Sequence, residues 1–189
     1  MSSDQSNFAS RAGAKLEHAL NHFQLLVEGK VCADFGSSTG GFVDCLLKRG
    51  AKKVYSVDVS YGELAWTLRN DSRVVVMERT NALHVTLPEQ VDFISVDVGF
   101  TRQELVLPSC IKNLKSGGVI VSLLKPHYEA KKHHLVKGKL PDEAVLEVVQ
   151  QVKLQIEQIP EITLKGVVES PIKGERGKNT EFLLFITKT

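Results

Sequence analysis

Short apolar runs alternate with amphipathic segments along most of the chain. Five runs rich in β-branched residues have the length of strands: "VCAD", "KVYSVD", "VVVM", "FISVD" and "VIVSLL". Apolar positions at helical spacing predict helices over 10–23, 41–49, 63–70, 102–115 and 142–158. Strands that alternate with helices in this way form a parallel sheet.

Two further strand-like runs, "ITLKGVVE" and "EFLLFIT", follow the last predicted helix and are joined by the loop "SPIKGERGKN". Two consecutive strands can pair as an antiparallel hairpin. The pattern therefore predicts an α/β, Rossmann-like fold. Its central seven-stranded sheet is mostly parallel, with a terminal antiparallel strand pair and helices on both faces.

The first predicted helix carries Lys15 beside its apolar stripe, and Ser10 is a candidate N-cap. No repeat and no linker rich in Gly, Ser or Pro interrupts the chain after this point. We therefore expect a flexible N-terminus at 1–9 and a single domain at 10–189.

The composition is that of an ordinary globular protein: 42% of the 189 residues are hydrophobic, 24% are charged, and the formal charge is +2. The longest apolar runs are strand-sized, whereas a membrane span needs about 20 residues. Cys32, Cys45 and Cys110 are scattered, without the paired spacing of a zinc site. We expect a cytoplasmic protein with buried thiols, no bound metal and no membrane contact.

The stretch "CADFGSSTGGF" at 32–42 ends the first predicted strand and opens the second predicted helix. A Walker-type phosphate loop has Lys and Ser or Thr after its second glycine, but Phe42 and Val43 stand here. The dinucleotide motif G-x-G-x-x-G needs a glycine where Ser38 stands. The remaining pattern, D-x-G-x-x-x-G-G, allows close backbone approach and suits the amino-acid end of S-adenosylmethionine.

Asp58 ends the second predicted strand. An acidic side chain at that position can accept hydrogen bonds from both hydroxyls of a ribose, so the pattern favours a ligand that contains adenosine. The alternative is that Gly36 and Gly40 only turn the chain while Asp58 caps a helix.

Charged residues also stand where other predicted strands begin or end. Ligands of open α/β sheets bind at the carboxyl ends of the parallel strands, and Asp97 and Lys125 end the fourth and fifth of them. Glu181 begins the last strand and lies at the same edge if that strand runs antiparallel. The alternative is that these charges, and Lys15, are solvated surface residues.

Seven blocks carry a family resemblance: "SRAGAKLE", "ADFGSSTGGF", "VDVSYGELAW", "ERTNAL", "VDVGF", "LLKPHYEA" and "SPIKGERGKNTEFLLF". Through them the chain resembles the TlyA haemolysin-like branch of the FtsJ-type RNA methyltransferases, from about Ser10 to Thr187. The resemblance implies a class I methyltransferase fold and S-adenosylmethionine-dependent ribose 2′-O-methylation of ribosomal RNA. By motif, the family's catalytic Lys-Asp-Lys-Glu tetrad falls on Lys15, Asp97, Lys125 and Glu181.

The resemblance also implies cofactor contacts at Gly40, Phe42, Asp58, Asn81 and Asp97, and Gly36 and Ser37 of the glycine loop are candidates beside them. A ribose hydroxyl is a poor nucleophile until a base removes its proton while the methyl group is held in line. Lys125, in its neutral form, is our hypothesis for this base, and Lys15 is the alternative. Methylation of a base amine is disfavoured because "DVGF" stands in place of an Asn/Asp-Pro-Pro-aromatic motif.

Basic residues cluster after the "KPHYE" block and in the loop before the last strand. The candidate RNA contacts are Lys131, Lys132, Lys137, Lys139, Lys173, Arg176 and Lys178. Such side chains attract phosphates without reading sequence, and Tyr128 or Phe100 can stack a base. The alternative is a solvated lysine loop without a partner.

The chain departs from the family in two places. Members usually begin with a small RNA-binding domain, whereas nine residues precede the first predicted helix here. Either the chain is part of a longer protein or its target differs. His127 and Tyr128 also replace the more common Gln and Phe.

The alternative function is a non-catalytic RNA-binding or ribosome-assembly factor that retains the fold, and the oligomeric state is open.

Overall fold

The computed structural model describes residues 7–174 and 178–189, without the side chain of Lys132. Within these residues the helices are α1 (Ala12–His22), α2 (Gly41–Lys48), α3 (Trp66–Arg69), α4 (Gln103–Asn113), α5 (Pro126–Glu129) and α6 (Asp142–Glu157), and Lys132–His134 form a 3₁₀ turn. The strands are β1 (Val31–Phe35), β2 (Lys53–Val57), β3 (Val74–Met77), β4 (Val91–Val96), β5 (Leu114–Leu124), β6 (Ile162–Glu169) and β7 (Phe182–Lys188).

The strands form one sheet in the order β3-β2-β1-β4-β5-β7-β6. Strands β1 to β5 are parallel, whereas β7 is antiparallel to both β5 and β6. Phe182, the first residue of β7, pairs with Leu124, the last residue of β5. The predicted seven-stranded sheet with a terminal antiparallel pair is therefore confirmed, and β7 begins at the edge where the parallel strands end.

Helices cover both faces of the sheet, because alternate residues of each central strand enter different apolar clusters. In β1, Cys32 packs with residues of α1 and α2, whereas Ala33 packs with residues of α4 and α6. In β4, Phe93 packs in the same cluster as Cys32, and Ile94 packs in the same cluster as Ala33. Strands buried on both faces read as continuous apolar runs, which is why these runs show no polar alternation in the sequence.

The three cysteines are free and buried, as expected. Burial raises the pKa of the Cys32 and Cys45 thiols to about 12, and that of Cys110 is raised for the same reason. They are therefore neutral thiols near pH 7. A reducing location stays a prediction. Over 7–174 and 178–189, no helix is long and apolar enough to cross a membrane.

Several helix boundaries differ from the sequence prediction; the helix predicted over 102–115, for example, ends at Asn113, and the next two residues belong to β5. The Ser10 cap is wrong: α1 begins after Arg11, and no side-chain hydrogen bond caps it. The helix predicted over 63–70 is reduced to α3, because the extended conformation of Ala65 (ψ 137°) interrupts it. The residues freed from the helix form a loop after β2.

Residues just before α1 contact α2. The backbone N–H of Ala9 donates to Asp44 Oδ2 (2.8 Å), and the Lys48 ammonium contacts the Asn7 carbonyl oxygen and lies 5.0 Å from the centre of the Phe8 ring. Of the N-terminus predicted to be flexible, 1–6 lie outside the described residues. The single domain over 10–189 stays a prediction.

Candidate active site

A cavity of about 740 Å³ opens at the carboxyl ends of the parallel strands. Its wall comes from the glycine loop after β1, the loops after β2, β3 and β4, the turn after β5, residues in and just before α1, and the segment before β7. The strand order reverses between β1 and β4, which is the place where open α/β sheets bind ligands. The cavity thus lies where the sheet topology predicts a site.

The glycine loop is shaped by two residues with positive φ. Gly36 (φ +89°) lies against β4, and a Cβ there would stand 2.6 Å from the carbonyl oxygen of Asp97. Gly40 (φ +98°) faces Leu64 and Leu68, where a Cβ would stand 2.3 Å from a Leu68 methyl carbon. Gly36 lines the cavity, whereas Gly40 is outside its lining and serves the turn into α2.

Lys15 and Glu181 form a buried ion pair at one wall of the cavity. Lys15 Nζ lies 2.6 Å from Glu181 Oε2, and the two side chains are 8% and 4% exposed. Lys15 stands in α1, and Glu181 directly precedes β7. The tertiary structure therefore brings together two residues that are 166 positions apart in sequence.

Asp97 and Lys125 form a second pair that is more open to the cavity. Lys125 Nζ lies 2.5 Å from Asp97 Oδ1 and donates to the carbonyl oxygen of Val98 (3.2 Å), and the paired side chains are 15% and 20% exposed. Both residues directly follow neighbouring parallel strands, β4 and β5. All four residues of the predicted tetrad line one cavity.

Asp58 and Asn81, two further predicted cofactor residues, both line the cavity and make hydrogen bonds within the protein. Asp58 lines the cavity and already accepts bonds from the backbone N–H of Ser38 (2.7 Å) and of Ser60 (2.8 Å), which ties the glycine loop to the loop after β2. Asn81 lines the cavity and caps its own turn by accepting from Leu83 N (2.9 Å). The Ser60 hydroxyl also donates to Asp58 (2.6 Å). A carboxylate has about four acceptor positions, so Asp58 retains about one for a ligand.

Ser37 and Phe42 also line the cavity, but both are buried. The Ser37 hydroxyl donates to the backbone carbonyl of Asp34 (3.0 Å), so its side chain is used inside the protein. Phe42 packs within the apolar cluster between α1 and α2. These two residues contribute surface and loop shape.

Asp34 is a site residue to which the sequence analysis assigned no role. Its side chain is fully buried and lines the cavity; Oδ1 accepts from the Ser95 hydroxyl (2.7 Å), whereas Oδ2 has no partner among the described residues. Burial raises the pKa of this carboxyl to about 7, with Asp97 and Asp58 adding to the increase. A buried acceptor without a partner at a cavity wall suits a cationic or N–H-bearing ligand group.

A second missed group lies behind the turn that carries Lys125. Glu129 accepts from the backbone N–H of Gln103 (2.8 Å) at the first turn of α4, and burial raises its pKa to about 7. Phe100 and Tyr128 stand at the rim with ring centres 4.9 Å apart. The Glu129–Gln103 hydrogen bond and the Phe100–Tyr128 ring contact therefore both join the segment after β4 to the turn after β5.

The predicted RNA contacts that the structure describes, Lys131, Lys137, Lys139, Lys173 and Lys178, lie outside the cavity lining. Lys131, Lys137, Lys173 and Lys178 are exposed, and Lys139 pairs with Asp142 at 3.3 Å. Arg176 lies outside the described residues, as does the side chain of Lys132. Over the described part of the chain, no group of three or more His, Cys, Asp or Glu side chains is placed to hold a metal ion.

Comparison with known families decides what kind of protein carries this site. Residues 8–188 match the model of the family described as FtsJ-like methyltransferase. The chain belongs to the FtsJ-like methyltransferase family. The resemblance predicted from the seven sequence blocks is confirmed, and with it the methyltransferase fold.

Relatives of this family member share most of its length. "Putative rRNA methyltransferase YqxC" of Bacillus subtilis is 42% identical over 184 residues, covering 95% of this chain and 65% of that protein. TlyA of Mycobacterium tuberculosis strain H37Rv, named as a 16S/23S rRNA (cytidine-2′-O)-methyltransferase, is 39% identical over 188 residues, covering 96% of this chain and 69% of that protein.

A solved structure gives the same result for the fold. "Putative hemolysin from Streptococcus thermophilus" superimposes with a TM-score of 0.93 at 38% sequence identity, covering 100% of this chain and 70% of that chain. The chain thus spans about two-thirds of the length of these relatives, and the part it spans includes the whole described cavity.

Proposed function

We propose that this chain transfers a methyl group from S-adenosylmethionine to a ribose 2′-hydroxyl of ribosomal RNA. The observation that carries the proposal is the convergence of two lysine–carboxylate pairs, Lys15 with Glu181 and Lys125 with Asp97, on one cavity. Relatives named as ribosomal RNA methyltransferases support the same reaction. A hydroxyl acceptor needs a base and an orienting group, and this arrangement contains candidates for both.

The cavity fits the proposed methyl donor in volume and in chemistry. About 740 Å³ lies within the usual range for small-molecule sites, roughly 300 to 1,000 Å³. The unpartnered Oδ2 of Asp34 is a candidate acceptor for the ammonium of the methionine end. Asp58 is the candidate for the ribose hydroxyls. Asp34 and Asp58 flank the glycine loop, where Gly36 keeps the backbone accessible to the cavity.

Lys125 is the proposed general base. When bound, S-adenosylmethionine supplies an electrophilic methyl group on a positively charged sulfur. The proposed base is the neutral amine form of Lys125. That amine accepts the 2′-hydroxyl proton as the oxygen takes the methyl group, and Asp97 and the Val98 carbonyl keep its nitrogen in place.

Lys15 and Glu181 are proposed to orient the ribose. Their mutual contact and burial leave little freedom for either side chain, so the pair presents a fixed donor and acceptor to the incoming sugar. Correct alignment of a nucleophile with a bound electrophile is itself a large part of catalysis. The buried pair would act through geometry, and the cavity-facing pair would carry the proton.

The surface around the cavity supports a nucleic-acid substrate. The exposed Phe100 ring lies beside Tyr128 at the rim, where it is available to stack a base. Exposed lysines in 131–139 and 173–178 supply positive charge for phosphates. These features favour RNA over a small acceptor.

The proposal is tested by methyl transfer to purified ribosomal RNA and to ribosomal subunits, using tritiated S-adenosylmethionine. A methylated 2′-oxygen protects the adjacent phosphodiester from alkaline cleavage, so the label should appear in an alkali-resistant dinucleotide. Lys125→Met is the inactive control. Label in an alkali-sensitive nucleotide would contradict ribose methylation.

The alternative of a non-catalytic RNA-binding or assembly factor gives a different result. That protein would bind ribosomal RNA or a ribosomal subunit without transferring label, although cofactor binding measured by calorimetry could persist. Measuring cofactor affinity, RNA affinity and label transfer separately therefore distinguishes the two functions.

A further inference from the structure

A tight hairpin carries part of the basic surface. Val136 and Lys139 exchange backbone hydrogen bonds in both directions (2.9 and 3.0 Å). Lys137 and Gly138 between them have φ values of +51° and +78°, as in a two-residue type I′ turn. A lysine with positive φ is uncommon and strained, so the surrounding structure must hold this turn.

The side chain of Asn179 holds the hairpin to the protein body. This residue is 3% exposed and lies in the segment before β7. Its Oδ1 accepts from the backbone N–H of Leu140 (3.0 Å), and its Nδ2 donates to the carbonyl oxygen of Gly138 (3.3 Å). The oxygen of the Asn179 side-chain amide therefore binds the buried Leu140 that follows the hairpin, and its nitrogen binds Gly138 of the hairpin.

The backbone of Asn179 is hydrogen-bonded to a residue of the cavity wall. Its carbonyl oxygen accepts from the N–H of Gly174 (2.9 Å), and Gly174 lines the cavity. A Cβ on Gly174 would stand 2.7 Å from Glu181 Oε1, so this glycine lies directly against the buried pair. One residue, Thr180, separates Asn179 from Glu181, so their Cα atoms are at most about 7 Å apart.

We propose that Asn179 is a positioning residue that fixes the basic hairpin 136–139 beside the Lys15–Glu181 pair, as a docking element for the RNA phosphate backbone. Phosphate contacts set the register of a nucleic acid on a protein. A strand held at the exposed Lys137 is then placed relative to the pair that orients its ribose. The inference rests on the proposed function and names the surface that aligns its RNA.

The chain contains a matched control for Asn179. Asn113 is also 3% exposed and bridges backbone groups, accepting from Leu87 N (2.8 Å) and donating to the Val85 carbonyl (3.0 Å). It is the last residue of α4, directly before β5, at the opposite end of the sheet from the cavity. Loss of stability alone should therefore appear in both variants.

The experiment compares Asn179→Ala with Asn113→Ala in thermal unfolding, cofactor dissociation constant and RNA-dependent kinetics. Both variants should unfold at lower temperature. Only Asn179→Ala should raise the KM for RNA, by about tenfold, with a smaller change in kcat and an unchanged cofactor dissociation constant. Equal increases in KM for the two variants would overturn the proposal.

Direct RNA binding gives a second test that does not depend on folding. Lys137→Ala should weaken RNA binding and reduce the dependence of log affinity on log salt by about 0.7, the value for one phosphate contact on a single strand. Lys52→Ala, an exposed lysine just before β2 at the opposite edge, should change neither. An unaltered affinity and salt slope in Lys137→Ala would overturn the docking role.

These measurements also separate the inference from the proposed function. If the chain binds RNA but transfers no methyl group, weaker RNA binding by Asn179→Ala and Lys137→Ala, but not by the controls, would support the docking element while the proposed reaction fails. If methyl transfer occurs and these variants match their controls, the reaction stands and the docking element is rejected.

Discussion

The two lysine–carboxylate pairs of the cavity differ in environment more than in geometry. Lys15–Glu181 and Lys125–Asp97 have nearly equal separations, 2.6 and 2.5 Å, but the first pair is 8% and 4% exposed and the second 15% and 20%. A buried pair is held rigidly, whereas a pair at a cavity surface can exchange its partner for a ligand. Equal distances therefore correspond to different proposed roles.

The difference arises from the elements that carry each residue. Lys15 stands inside α1, whose apolar face packs on the sheet, and Glu181 directly precedes the buried Phe182 of β7. Lys125 and Asp97 instead follow the last residues of their strands, where the chain turns away from the core. The first pair belongs to the packed layer and the second to the loops above it.

The largest expected effect is on catalysis by Lys125→Met. Removing the proposed base should lower kcat by about 10³-fold, within the usual range for a general base. The temperature of unfolding should change little, because this pair is open to the cavity. Rapid-quench measurement of label transfer at saturating RNA checks this. A fall in kcat of less than tenfold would exclude Lys125 as the base.

Lys15→Met should act first on stability. It leaves the Glu181 carboxylate buried without its partner, which costs about 3 kcal/mol or more of unfolding free energy. Replacing both residues with methionine removes the uncompensated charge, so the double variant should recover stability but not activity. Urea unfolding and label transfer on the same samples test this contrast. Recovery of activity would show that the pair has only a structural role.

Asp34→Asn should weaken cofactor binding by roughly 10- to 100-fold, the range for loss of a charged hydrogen bond. The folded-state pKa of about 7 lies above the ordinary value of 3.8, so Asp34 favours folding at low pH and this contribution is lost as pH rises through 7. In the absence of cofactor, Asp34→Asn should therefore be more stable than the wild type at pH 8.

The cofactor affinity of the wild type, unlike the stability contribution of Asp34, should rise with pH. A bound ammonium favours the Asp34 carboxylate, so wild-type affinity should rise between pH 6 and pH 8 and the rise should be smaller in Asp34→Asn. Calorimetric titration at three pH values measures this. The same pH dependence in both proteins would place the ammonium elsewhere.

The smallest expected effect comes from Glu129→Gln, which keeps an acceptor for the Gln103 N–H and removes the charge. We expect a change in kcat of about threefold, because the hydrogen bond is weakened and not lost. Burial raises the pKa of Glu129 to about 7, with Arg102 opposing the rise and Glu104 adding to it. Stability should therefore fall less between pH 6 and pH 8 in Glu129→Gln than in the wild type. Thermal unfolding across this range checks the sign.

Local pattern was sufficient for the elements and for much of the candidate site. The glycine stretch, the strand ends at Asp58, Asp97 and Lys125, and the terminal strand pair could be predicted because each depends on residues close in sequence. The failures concern two helix starts: Ala65 is extended within the helix predicted over 63–70, and α1 begins after Arg11 without a Ser10 cap. Propensity sets a preference that tertiary contacts can override.

The sequence alone determined the fold class, the family and the chemical types available at the strand ends, because periodicity and motif spacing are properties of neighbouring residues. Only the tertiary structure decided which of these side chains contact one another. Burial of Asp34, the contact of Lys15 with Glu181 and the use of Asn179 by the hairpin depend on the packing of distant segments. The physical reason is that burial and partner choice set the state of a charged or polar side chain, and both are defined only once the chain is folded.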